Sequence, residues 1–278
     1  MTQTPLREAS SVILLRRTKE THGFEVFLLR RRRGASFMAS AFVFPGGGAE
    51  AGEDARTCAA RELFEEAGVL LAKDVEGEHE TLADGQFTSV AALRKKVLDG
   101  SDATATLAGS GLEWWTEMLV PWSHWITPSI EPRRFSARFF VCELPSGQEP
   151  SFDDIETVDQ VWVTPDDALA RSAELALPPP QVRTMIELRE HATVEAVLAA
   201  AKQRADEPHP IMPRLRTMQP GDTGPTLLLP WDPEYLEAGT GDSAPLTYRP
   251  TWASGPSRFV LEAKTWKHLS APGSTSAG

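Results

Sequence analysis

The chain has 278 residues, enough for one large or two small domains. Hydrophobic residues make up 41% and charged residues 24%, the balance of an ordinary globular protein. The formal net charge of −11 excludes a broad nucleic-acid surface, and no apolar run approaches the length of a membrane helix. Cys58 and Cys142 make neither a disulfide framework nor a zinc spacing. The polar start MTQTPLREAS has no signal-peptide core after it, and the end is not a peroxisomal tripeptide. Cytoplasm is the expected compartment.

Ser11 to Thr18 reads as a strand, and Phe24 to Arg31 as its antiparallel partner after a turn at His22-Gly23. Arg30 to Arg33 form a basic run at that strand's end, mostly solvated, with room for one or two to face a phosphate. Ala41 to Phe44 is a short strand. It runs through Pro45 into Gly46-Gly47-Gly48, whose backbone can approach an anion closely.

A helix follows from Asp54, an N-cap candidate, to Gly68, a left-handed terminator. On it Glu62, Glu65 and Glu66 are spaced three and four apart, so they share one face. Like charges at that spacing repel by about 0.2–0.5 kcal/mol per pair. Selection for helix stability alone does not stack them. A divalent cation reverses the sign, and hard oxygen ligands suit Mg²⁺ or Mn²⁺. Ala60, Leu63, Phe64 and Ala67 lie opposite, on the side that packs against a sheet. Arg61 reaches Glu65 one turn on or Glu53 across the loop, a structural brace in either case. Cys58 reads as a small packing residue.

Asp74 to Gly85 reads as a polar loop. Ser89 to Leu98 and Leu112 to Met118 read as helical, and Leu119 to Thr127 as extended. Phe135 to Leu144 and Val158 to Val163 are strands, and Pro165 to Arg171 opens a helix with Pro in its first turn. Gln181 to Arg204 carries a helical pattern, broken near His191-Ala192. From residue 207 the composition shifts to Pro, Gly and Thr, leaving two strand candidates, Thr226 to Leu229 and Arg258 to Ala263. The last eight residues read as disordered.

The expected architecture is an α/β/α sandwich with a mixed sheet. Residues 1–206 form the main domain, with a helical insertion at about 86–118. Residues 207–278 form an extension with short strands.

From Gly47 to Val69 the pattern is Gly, five residues, Glu53, seven residues, then Arg61-Glu62-Leu63, one residue, Glu65-Glu66, one residue, and Gly68-Val69. It resembles the box of the Nudix hydrolase family without a gap. Phe37 to Gly47, Trp122 to Pro128, Pro132 to Phe140 and Leu177 to Pro180 are similar to the branch of the mammalian peroxisomal coenzyme A diphosphatase. Two departures stand out. That relative has a long insertion in its box, absent here. Ser40 also stands where other coenzyme A-cleaving members have glycine, and the upstream arginine spacing of their signature does not fit this chain.

The resemblance implies attack by water on a nucleoside diphosphate linked to another group. Glu62, Glu65 and Glu66 would hold Mg²⁺ or Mn²⁺, and Glu62 or a later-loop carboxylate would serve as base. Glu156 is the first choice for that loop, with Asp153 and Asp154 behind it. Gly46 and Gly47 are candidate phosphate binders. Arg134 and Arg138 are an even number apart, on one sheet face, and are candidates for the extra phosphate of coenzyme A. Trp122, Trp125 and Phe135 are candidate adenine stackers, with buried core the commoner fate. The expected partner is a small nucleotide-derived substrate, not nucleic acid or membrane, with a homodimer open. Coenzyme A or acyl-coenzyme A is the leading substrate, and ADP-ribose, NADH or a nucleotide sugar the alternative. A Nudix-fold binding module without turnover is the alternative of another class.

Overall fold

Alternation along β1 (Leu6–Arg17) sends Val12 and Leu14 to one face and Ile13 and Leu15 to the other, and all four are fully buried. A strand buried on both faces requires cover on both. The computed structural model that shows this cover describes residues 5–18, 23–32, 40–75, 87–205, 210–242, 252–253 and 255–269, the side chains of 87–89 excepted. Candidate positions within 33–39, including Phe37, the loop at 76–86 and the tail beyond 269 lie outside the described residues.

In chain order the elements after β1 are strands β2 (Phe24–Arg31), β3 (Phe42–Val43) and β4 (Gly46–Gly48), then helix α1 (Ala55–Ala67) and strand β5 (Ala72–Asp74). Helices α2 (Phe87–Leu98) and α3 (Ala103–Ala108) follow, then strands β6 (Leu112–Trp114), β7 (Val120–Ile126), β8 (Arg134–Glu143) and β9 (Thr157–Val163). Helices α4 (Pro165–Ala170), α5 (Pro179–Leu188) and α6 (Val194–Arg204) lead to strands β10 (Pro210–Ile211), β11 (Arg214–Arg216) and β12 (Thr226–Leu228). Helix α7 (Tyr235–Ala238) and strands β13 (Gly239–Thr240), β14 (Arg258–Glu262) and β15 (Thr265–Leu269) complete the described chain.

The main sheet is mixed. β1 runs antiparallel to β2 and to β4, and parallel to β8 from Leu6↔Arg134 to Leu15↔Glu143. β7 and β10 extend it past β8, and β3 and β9 both pair with β2. Ala59, Ala60, Leu63 and Ala67 of α1 pack on Val12, Leu14, Phe27 and Leu29. Val182, Met185, Val197 and Ala201 of α5 and α6 pack on the opposite face. The result is the expected α/β/α sandwich.

Two expectations are corrected. Leu112 to Met118 is strand β6, paired with β5, and a 3₁₀ turn at Thr116–Met118. Strand pairing holds Trp114 edge-on to Phe64, with ring centroids 6.3 Å apart, a tertiary contact that overrides local propensity. The segment after 207 is richer than two strand candidates. Its strands form an antiparallel sheet in the order β13-β11-β12-β14-β15. Phe259 is fully buried in the same core cluster as Val182 and Met185. Arg258 forks onto buried Asp232, at 2.8 and 2.9 Å. The two candidates are present as β12 and β14, and β11 and β13, two or three residues long, are too short for alternation to show. Among the described residues no helix is long and apolar enough to cross a membrane.

Candidate active site

The Asp54 side chain caps α1, accepting from Arg56 N at 2.9 Å and Thr57 N at 3.1 Å. Gly68 ends it at φ 69°, its N–H donating to Phe64 O at 2.9 Å. With both ends fixed and the alanine–leucine stripe seated on the sheet, the azimuth of α1 is set. Glu62, Glu65 and Glu66 then line a cleft of about 460 Å³. Glu50 joins them on that side. Val97, Leu98 and Ala103 come from the α2–α3 segment, and Ile155 and Glu156 from the loop before β9. Phe64 turns away from the sheet and packs with Leu70, Val90, Leu93 and Val97, seating α2 against α1.

One guanidinium serves three carboxylates. Arg61 forks onto Glu53, Nε to Oε1 at 2.8 Å and Nη2 to Oε2 at 2.9 Å. Its Nη1 donates to Glu62 at 2.9 Å and Glu65 at 3.2 Å, and Nη2 also holds Gly48 O at 2.9 Å. The brace thus ties the glycine loop to the helix through Glu53 and reaches two of the three facing glutamates. It does not neutralise them all. Burial pushes the Glu62 carboxyl up to about 7 and that of Glu66 up to about 8, and raises Glu65 as well.

The glycine loop is fitted to these carboxylates, which corrects the reading of Gly46 as a phosphate binder. Gly46 N donates to Glu66 Oε2 at 2.8 Å, so its amide is committed. A Cβ on Gly46 would lie 2.3 Å from Ser10 O. At Gly47 a Cβ would lie 2.5 Å from Glu62 Oε2, so the carboxylate rests against bare backbone.

Glu156 faces α1 across the cleft, and its charge raises the pKa of both Glu62 and Glu66. Asp153 builds the loop that presents it. Asp153 Oδ1 accepts from Ile155 N, Glu156 N and Thr157 N at 3.0–3.2 Å and from Thr157 Oγ1 at 2.8 Å. Asp154 is turned toward Arg32, at 3.6 Å. Of the three acids in this loop, Glu156 is the one whose carboxylate makes no hydrogen bond or ion pair among the described residues.

Arg134 and Arg138 do not line the cleft. Arg134 is buried, with Nε donating to Thr127 O at 3.1 Å and Nη2 against Met212 Sδ. Arg138 pairs with Glu8 at 2.8 Å. The parity argument gave a common face but not what fills it. Trp122 and Trp125 are buried in the core, closed to a base. Burial pushes the Cys58 thiol up to about 12, which suits a packing residue rather than a nucleophile.

Sequence reasoning missed Arg94. From α2 its Nε and Nη2 donate to Glu65 O at 3.1 and 2.8 Å, and Nη2 to Glu66 O at 2.9 Å. Its Nη1 donates to Ser151 Oγ at 3.0 Å, and Ser151 N donates to Ala67 O at 2.8 Å. The end of α1, the α2 helix and the segment leading to Glu156 are therefore bolted together. No local pattern marks a contact 29 residues apart.

The donor set fits a hard divalent ion: three carboxylates on one cleft wall, two of them buried without full neutralisation. Among the described residues no three acidic, histidine or cysteine side chains already converge as a coordination sphere. Arg61 Nη1 bridges Glu62 and Glu65 in this arrangement.

Residues 53–188 match the family model described as the NUDT19 Nudix domain. Putative nudix hydrolase 7 of Caenorhabditis elegans is 32% identical over 191 residues, which cover 66% of this chain and 60% of that protein. Acyl-coenzyme A diphosphatase NUDT19 of Xenopus laevis is 28% identical over 225 residues, 58% of each chain. The chain thus spans about three fifths of the length of these relatives. The crystal structure of a Nudix hydrolase from Alicyclobacillus acidocaldarius superposes with a TM-score of 0.62 at 25% identity, covering 71% of this chain and 97% of that one. Box, cleft and fold agree: residues 53–188 carry a Nudix domain similar to that of NUDT19.

Proposed function

We propose that this chain hydrolyses the diphosphate bond of a nucleoside diphosphate linked to another group, with coenzyme A or an acyl-coenzyme A as substrate. The products would be adenosine bisphosphate and (acyl-)phosphopantetheine. The observation that carries the reading is the wall of Glu62, Glu65 and Glu66 facing Glu156 across one cleft. The relatives named acyl-coenzyme A diphosphatase support the choice of substrate. So does the cleft itself, lined mostly by carboxylates with apolar side chains at Val97, Leu98, Ala103 and Ile155 among them. Such a cleft suits a ligand with a polyanionic centre and a less polar arm.

Glu62, Glu65 and Glu66 would hold Mg²⁺ or Mn²⁺. Such an ion, when bound, lowers the pKa of water and offsets charge on the phosphate oxygens. Gly46 and Gly47 keep Glu66 and Glu62 in place through the amide hydrogen bond and the bare backbone contact. Arg61 braces the loop that carries them. Glu156 takes the proton of the attacking water. A new P–O bond forms at one phosphorus, the P–O–P bridge breaks, and the departing phosphate leaves with its arm.

The test is a panel of coenzyme A, acetyl-coenzyme A, ADP-ribose, NADH and a nucleotide sugar, incubated with Mg²⁺ and read by mass spectrometry. Cleavage of the two coenzyme A compounds at the diphosphate is expected. Cleavage of ADP-ribose with coenzyme A left intact would overturn the substrate assignment and keep the reaction.

A further inference from the structure

The cleft lining holds seven carboxylates and no basic residue, a poor reception for a polyanion unless a cation stands close by. The nearby arginines are nearly all committed. Arg61 serves Glu53, Glu62 and Glu65, Arg94 caps α1, Arg32 holds Asp154, and Arg30 stacks over Phe42 and approaches Asp159.

Arg31 is different. Alternation along β2 puts it on the face of Phe27 and Leu29, the side covered by α1. The pairing of β2 with β9 slips between Arg30↔Asp159 and Arg31↔Thr157, a bulge that re-aims the strand end beside the Glu156 loop. There Arg31 acts electrostatically on Glu66. Its Nε is buried with no hydrogen-bond partner, and among the described residues its guanidinium makes no ion pair. A buried donor left unmatched is costly, and a bound ligand at the adjoining cleft is one way to complete it. The planar fork of arginine matches phosphate oxygens.

We infer that Arg31 is a phosphate-binding residue, donating to an oxygen of the substrate diphosphate beside Glu66. The inference rests on the proposed diphosphate hydrolysis and adds the residue that receives the anion.

The test uses R31Q and R31K in the full chain, with two probes. Mn²⁺ alone, followed by electron paramagnetic resonance, reports the carboxylates. Imidodiphosphate, titrated by calorimetry in saturating Mn²⁺, reports the anion site. Wild type is expected to bind both. R31Q should keep Mn²⁺ binding, lose at least tenfold in imidodiphosphate affinity, and melt no lower than wild type. R31K, keeping the charge without the fork, should fall between them, and it carries the test if R31Q does not fold. Equal imidodiphosphate affinity in wild type and the folded variants would overturn the inference and leave the proposed reaction standing. A lower melting point together with lost Mn²⁺ binding would also overturn it, in favour of a structural role. A wild type that binds neither probe would sink both proposals.

Discussion

Arg94 donates twice to the main-chain carbonyl of Glu65, from Nε at 3.1 Å and from Nη2 at 2.8 Å. The carbonyls at a helix C-terminus lack intrahelical partners and carry the negative end of its dipole, so a half-buried guanidinium there serves both needs. Because Glu65 and Glu66 lie in that last turn, the position of their side chains depends on it.

Replacing Arg94 by Ala should lower the unfolding free energy by about 1–3 kcal/mol in urea titration. Turnover should fall by a further ten- to hundredfold beyond any loss of folded protein. R94K should recover part of the stability and less of the turnover, since an ammonium cannot span the three acceptors. Equal activity in all three proteins would show that α2 does not position the glutamates.

Gly47 and Gly46 should separate chemistry from folding. In G47A the new methyl meets the far end of the Glu62 side chain at 2.5 Å. A side chain can move aside, so the fold should survive with a loss of roughly 1 kcal/mol or less, while turnover drops on the order of a hundredfold. In G46A the methyl meets the Ser10 carbonyl at 2.3 Å, a backbone atom in the sheet. That variant should lose several degrees of melting temperature. Identical melting and activity in the two variants would contradict the assigned contacts.

The box helix was legible because its signals are local: glutamates three and four apart, Asp54 at one end, Gly68 at the other. The strands that bury two faces were legible as apolar runs, and so was the break between α5 and α6. What escaped was long-range. Arg94 caps a helix 29 positions away, and Arg134 is enclosed by Met212, 78 positions away. Periodicity said that Arg134 and Arg138 share a face, but only packing decides what covers it. For Arg31 the basic run raised the prospect of a phosphate ligand without saying which member faces α1. Of the tail sheet β12 and β14 were legible as strand candidates, while β11 and β13, two or three residues long, carry no readable period.

The pH dependence follows from the buried glutamates. Their folded pKa values, about 7 for Glu62 and about 8 for Glu66, lie above the ordinary 4.5, so folding favours the protonated forms. Their stabilising contribution is fully present below pH 4.5 and is lost as pH rises through 7 and 8. With a chelator present, the melting temperature should therefore fall between pH 5 and pH 9. Mg²⁺ should raise it more at pH 9 than at pH 6, since the ion binds the charged forms. Scanning fluorimetry across that range checks both statements, and an equal Mg²⁺ effect at the two pH values would contradict them.

The most direct test of the account compares wild type with E65Q. Both are incubated with coenzyme A and Mg²⁺ in ¹⁸O-labelled water, and the products are read by mass spectrometry. The account predicts labelled adenosine bisphosphate or phosphopantetheine from wild type, none on chelation, and at most a trace from a fully folded E65Q. Unchanged turnover in E65Q, or a wild type that cleaves no diphosphate at all, would contradict it.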